Sequence, residues 1–406
     1  MTLRISTAAL FQQGLQGLLR RQDDVARAQR QLVSGNKLER AADDPAGMAQ
    51  AQRLDHAVAR LEQFGANAGL LENRLRSQEQ AMADVNDQLA RARELAIQAN
   101  SPVLSAADRK SIASDLRAIR NEILGIANRE DGTGRRLFAG NRDGVMPFNQ
   151  APGGGVVYAG DDGRNQVEIA PDLSIADTDP GSEVFLRVRT GDGIVRGAAA
   201  ATNTGNAVLQ TTSVTNGALW ANRDLTVEFT APDTYRVLDG SGAVVSTGSF
   251  TPASTDGTTA LNAGGVQLSL AGVPQAGDRF TVERAPMRDV FTSLEVLASA
   301  LDAPIANAAD RARSDNIVGA AISDLGTAQD HMLKVRSGTG IRLASLDTAG
   351  DAREGTGISL AESLSQLRDV DYAEAASRLT LQLTALEAAQ KTMMRIQGHS
   401  LFDKMG

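Results

Sequence analysis

The chain has no cysteine. Disulfides, thiolate metal centres and cysteine nucleophiles are therefore excluded together. Aromatic residues are scarce, 14 in 406. Its apolar surface must come mainly from small and aliphatic side chains, which suits helix bundles and coiled coils better than one thick core. The three histidines, His56, His331 and His399, are isolated and fit no HxxxH or HExxH pattern, so no metal is expected. No stretch approaches 18 consecutive apolar residues, so no membrane span is expected. The first residues, MTLRISTAALFQQGLQGLLRRQ, hold neither an uninterrupted apolar run nor a small-residue cleavage site, which is unlike a conventional signal peptide. Net charge is −8, which argues against a nucleic-acid partner. Residues 1–40 run the other way, with seven basic residues against three acidic ones.

What is present is periodicity. Phe11, Leu15, Leu18, Gln22, Val25, Gln29 and Leu32 alternate spacings of four and three. Tyr372, Ala376, Leu379, Leu383, Leu386, Gln390 and Met393 repeat that rhythm at the other end. Both stripes predict heptad helices with a polar interruption on the seam. The simplest inference is that the two ends pair with each other, in an antiparallel bundle or coiled coil. Each helix also keeps a second, partly apolar edge: Leu10 and Leu19 at one end, Leu381, Met394 and Ile396 at the other. A two-helix hairpin cannot cover these edges, whereas further copies of the molecule can.

Helical periodicity continues from 45 to about 129, broken at NSPVLSAADRKS and restarted at a cap region around Ser105 and Asp108. From about 141 to 286 the pattern changes to short β-rich runs between glycine and aspartate turns, and eight of the aromatics fall there. That predicts an antiparallel β domain inserted into a helical protein. Thr204–Asn216 reads as a long polar loop within it. Helix returns at about 288 and runs to the end, with SGTGIRLASLDTAG placed within or between helices. The expected fold is mainly α with an inserted β domain: residues 1–40 plus 370–406 as an inner terminal-helix domain, 41–140 plus 287–369 as a middle helical bundle, and 141–286 as an all-β outer domain.

An enzymatic reading finds little support. Asp43 and Asp44 are adjacent carboxylates, but no histidine or glutamate motif lies near them in sequence. Asp44 before Pro45 instead fits a helix N-cap followed by proline at the first helical position. Ser34 and Gly35 then mark the end of the preceding helix, so Ser34, Gly35, Asp43, Asp44 and Pro45 read as an inter-domain hinge. AGDDGRN lacks the ligand spacing of a calcium loop and reads as a hairpin turn. GDG and GTG stand in no P-loop or Rossmann frame, and no serine lies in a G-x-S-x-G setting. No cofactor is expected.

The same residues resemble the flagellin superfamily. RIST at Arg4–Thr7 with FQQG at Phe11–Gly14, LVSGNKLERAADDPAGMAQA, RARELAIQANSPVLSAADRKSIASDLRAI and DVDYAEAASRLTLQLTALEAAQKT are similar to its helical blocks. DGTGRRLFAGN, with Phe138, Ala139 and Gly140, and VVYAGDDGRNQVEIAP resemble the branch that joins hook to filament more than filament flagellin itself. The resemblance implies a structural, non-enzymatic subunit of a tubular layer in the bacterial flagellum. It implies hook-associated protein 1 and flagellin as neighbours. It also implies export without cleavage through the flagellar type III apparatus, helped by a cytoplasmic chaperone on the C-terminal region. Assembly would run through Phe11, Leu15, Leu18, Val25, Leu32, Tyr372, Leu379, Leu383, Leu386, Met393 and Ile396. A flagellin-like filament subunit is the alternative.

Overall fold

The computed structural model describes residues 7–42, 44–252 and 257–402. The chain divides into two compact units, one of residues 1–66 and 349–406, the other of 67–348.

The first unit is helical. α1 (Thr7–Ser34) ends at Gly35, whose φ of +71° suits glycine at a helix C-terminus. α2 (Pro45–Ala99) begins behind Asp44, whose Oδ1 accepts from the amides of Ala46 (3.1 Å) and Gly47 (2.9 Å). Proline at the first position forfeits an amide that would be unpaired there anyway. α6 (Ala308–Arg368) and α7 (Tyr372–Phe402) supply the return. Asp371 caps α7, accepting from Ala373 and Glu374 amides. α1 and α7 run antiparallel: a Cβ on Gly14 would meet Met393 Sδ at 3.0 Å, and one on Gly35 would meet Tyr372 Oη at 2.9 Å.

The second unit has two separate hydrophobic cores. In the first, α2 and α6 pack with α3 (Ala106–Ala127) and α5 (Val290–Asp302). Ser105 and Asp108 form a capping box at the start of α3. Ile112, Leu116, Ile119, Ile123 and Ile126 then fall on one buried face, each contributing about 1.5–3 kcal/mol by leaving water. Three two-stranded ladders belong to this core or its flank: β1 (Phe148–Gln150) with β2 (Val156–Tyr158), β3 (Gln166–Ala170) with β4 (Leu173–Ala176), and β5 (Val188–Arg189) with β14 (Met287–Arg288). Phe148 and Phe185 pack there with Phe138 and Phe291, at centroid distances of 5.1–6.0 Å.

The second core lies between two antiparallel sheets. One has the order β10-β9-β8-β13-β6, the other β11-β12-β7. The strands are β6 (Val195–Ala199), β7 (Val208–Val214), β8 (Leu225–Ala231), β9 (Thr234–Asp239), β10 (Val244–Ser249), β11 (Thr258–Ala263), β12 (Val266–Ala271) and β13 (Arg279–Arg284), with the one-turn helix α4 (Gly217–Trp220) between β7 and β8. Trp220, Phe229, Phe250 and Phe280 fill the space between the sheets. Alternation along β12, buried at Val266, Leu268 and Leu270, is the expected signature of a half-buried strand.

The central β-sheet region flanked by helices is the expected fold, with two differences in detail. The two cores divide near residue 190, not near 141. Phe148, Tyr158 and Phe185 count as β-region aromatics by sequence, but the β1–β2 hairpin of the first two is too small to hold a core, Phe185 lies in a helical turn at Ser182–Leu186, and all three pack on the helices. β7 occupies most of the expected loop Thr204–Asn216, because pairing with β12 orders a segment in which no residue is fully buried. Ser337–Gly350, expected within or between helices, lies wholly inside α6, since packing of a 61-residue helix overrides its three unfavourable glycines.

Candidate assembly surface

In the first unit the breaks in the two chain directions lie side by side. Lys37 N–H donates to Arg368 C=O (2.6 Å), and Val370 N–H donates to Gly35 C=O (2.9 Å). Gln31 Nε2 donates to Lys37 C=O, and Ser34 Oγ donates to Glu39 Oε1 (2.7 Å). Arg368 pairs with Asp55 at 3.4 Å. Leu38 is buried beneath this corner, and a Cβ on Gly47 would strike the Asp44 carboxylate. Ser34 and Gly35 end α1, Asp44 and Pro45 start α2, and the backbone at Gly35 and Lys37 is held to that at Arg368 and Val370. Asp43 lies outside the described residues.

Along the α1–α7 pair, little is fully buried. Val25 and Ala28 of α1 and Ala375 of α7 are. Leu18, Leu32, Leu379, Leu386 and Met393 are half-buried, while Leu15, Tyr372 and Leu383 remain exposed within one copy. The side chains of Phe11 and Ile396 lie outside the described residues. Val33 is 89% exposed, Leu381 69% and Met394 63%, and Leu19 is exposed too. Leu15, Leu19, Ala26 and Val33 repeat at four, seven and seven along α1, so they share a face. Counting large side chains missed Ala28 and Ala375, where small residues let the helices approach; their own four-three spacing was the available signal.

Phe138, Ala139 and Gly140 sit in the second unit, the first two fully buried and Gly140 half-buried. Phe138 C=O accepts from Gly181 N–H (2.9 Å). The Tyr158 hydroxyl lies 2.9 Å from both the Phe138 and Asp161 carbonyl oxygens. Burial pushes its pKa up to about 12, so it serves as a neutral donor. Gly140 has φ +68°, and a Cβ there would lie 2.3 Å from Asp161 O, so only glycine fits. The motif closes the turn under which the first β hairpin docks.

Among the described residues no group of three or more histidine or acidic side chains is placed to hold a metal ion. Among the described residues no helix is long and apolar enough to cross a membrane.

Residues 5–143 match the family model of the bacterial flagellin N-terminal helical region, and 322–403 that of the C-terminal helical region. Flagellar hook-associated protein 3 of Salmonella typhimurium is 24% identical over 403 residues, spanning 98% of this chain and 99% of that protein. The crystal structure of Xanthomonas campestris FlgL is similar with a TM-score of 0.71 and 40% identity, over 77% of this chain and 99% of that one. Flagellin of Bacillus subtilis is 32% identical, but over 123 residues only, 29% of this chain and 40% of that protein.

Proposed function

The chain belongs to the flagellar hook-associated protein 3 family, structural proteins of the hook–filament junction, and from that premise we propose that it makes the joint through its paired terminal helices. The observation that carries this reading is the uncovered apolar face of α1 and α7: Leu15, Leu19 and Val33 on one helix, Leu383 and Met394 on the other. Exposed apolar side chains in a row mark an interaction surface. Copies of this chain and its neighbours in the flagellum would bury them. A head-to-tail interface of this kind closes into rings or continues as helical tubes.

In this reading residues 1–40 and 370–406 form the inner layer, 41–140 and 287–369 the middle one, and the β domain faces outward. The neighbours are hook-associated protein 1 on one side and flagellin on the other. The chain leaves the cell uncleaved through the flagellar type III apparatus, with a cytoplasmic chaperone on its C-terminal region. It performs no catalysis.

The terminal helices hold few fully buried residues, too few to offset the entropy of ordering nearly sixty of them. Their folding is therefore coupled to assembly. Circular dichroism of the dilute full chain should match that of a chain trimmed at both ends, per molecule of remaining helix. Substantial extra helix from the ends at low concentration contradicts the coupling.

The flagellin alternative has a specific discriminator. Loss of a junction subunit leaves flagellin synthesised but shed into the medium. Loss of a filament subunit leaves hooks bare with no flagellin anywhere. Gold labelling in electron microscopy should place this chain at the hook tip in a short layer; labelling along the filament supports the alternative.

A further inference from the structure

The β module from Thr190 to Pro286 has its own core and joins the helices of the same unit through a narrow neck. β5 and β14 pair there, and Thr190 donates twice to Pro286 C=O, from its amide (3.1 Å) and its hydroxyl (2.9 Å). Beyond the neck, one face of α6 touches the module, almost entirely through polar groups. Asn316 accepts from Leu209 N–H (2.8 Å) and donates to Ala207 C=O (3.1 Å). Ser323 and Thr327 hydroxyls both donate to Gly191 C=O, at 2.9 and 2.5 Å. Asp324, only 4% exposed, accepts from Gly191 N–H (2.6 Å) and pairs with Arg196 (3.2 Å) and Arg288 (3.3 Å).

A cavity of about 250 Å³ opens in this contact, beside Arg196, Leu209, Asn316, Ala320 and Asp324. The contact is therefore not packed like either core. Hydrogen bonds of this kind fix direction but add little net stability, about 0.5–1.5 kcal/mol each. A buried ion pair also roughly offsets its own desolvation. Polar contacts between separately cored bodies favour relative motion.

We infer that Asn316, Ser323, Asp324 and Thr327 form a polar latch that sets the orientation of the β module and opens without unfolding either core. Most of its partners are backbone atoms, so the latch reads the module's chain path more than its side chains. Asp324 is the positioning residue, because it alone ties the neck (Arg288), the first strand of the module (Arg196) and the Gly191 turn.

The absence of cysteine makes a direct test simple. Spin labels at Thr247→Cys and Ser337→Cys, both exposed, report the distance from β10 to α6. The parent chain should give one narrow distribution. Asp324→Asn combined with Asn316→Ala should broaden it by about twofold or more, while amides of Val227, Val237 and Val282 keep their exchange protection. Asp324→Asn alone, which keeps an acceptor for Gly191, should broaden it less. An unchanged narrow distribution in the double variant would overturn the latch. So would joint loss of protection at those core amides, because the side chains would then belong to the stability of the core.

Discussion

At the scale of single residues, several polar side chains act as structural fixtures. Asp44 invites a catalytic reading by sequence, yet its carboxylate is spent on two amides at the start of α2. Asp44→Ala should cost about 1 kcal/mol, the usual worth of a good N-cap, read as a lower urea midpoint in equilibrium unfolding. Glu228, on β8, accepts from Arg236 (2.6 Å) and Arg279 (2.9 Å). These hydrogen bonds, Arg236 foremost, hold its carboxyl below the usual range despite the opposing effect of burial. A carboxyl with a lowered folded pKa stabilises above its unfolded value of about 4.3 and loses that contribution as pH falls through the folded one. Protection factors of the β module, exchange rates corrected for the intrinsic pH dependence, should therefore fall below about pH 4. Glu228→Gln should lower protection at pH 7 and converge with the parent chain once pH has fallen through the folded value. Equal slopes for the two proteins would remove Glu228 from the pH response.

At the scale of elements, helices were far more legible than β boundaries. Ser34-Gly35, Asp44-Pro45, Ser105 and Asp371 stop or start helices where local chemistry says they should. Each signal is a capping interaction within a few residues, which a linear sequence can carry. Core membership depends on partners far away in sequence. Phe148 and Phe185 look like Phe229 and Phe280 by context, but pack with Phe138 and Phe291 instead. Of the exposed face of α1, Leu19 was legible as a second edge, but Leu15 reads as a seam residue and Val33 carries no periodic signal of its own; the inner seam was less legible still, since Ala28 and Ala375 carry weak signals.

A polar layer between α2 and α6 was not legible at all. Gln78 is fully buried, donates to Asp179 (2.7 Å) and Thr339 (2.9 Å), and accepts from Asp179 N–H (2.7 Å). Arg342 and Arg164 also pair with Asp179, and Arg74 with Asp131 and Asp177. Gln78→Leu leaves a buried amide and carboxylate short of partners and should cost on the order of 3 kcal/mol. Gln78→Glu is no remedy, because it brings a third carboxylate beside Asp177 and Asp179. Thermal unfolding of Gln78→Leu near that of the parent chain would show the layer to be dispensable.

At the scale of the whole molecule, the chain stabilises its two units unequally. The second holds two well-filled cores; among the described residues the first holds only a thin seam. That imbalance is costly for an isolated monomer and suits the proposed assembly, in which neighbouring copies would cover the terminal helices. The central claim is that the uncovered face of the terminal helices makes the joint. Cells lacking the native copy and supplied with Leu15→Ser/Leu19→Ser/Val33→Ser test it most directly, by electron microscopy of their flagella with assay of flagellin in the medium. These side chains are exposed in the monomer, so the variant should remain as stable as the parent chain in solution. The account predicts hooks without filaments and flagellin shed into the medium. Filaments of normal number and length would contradict it.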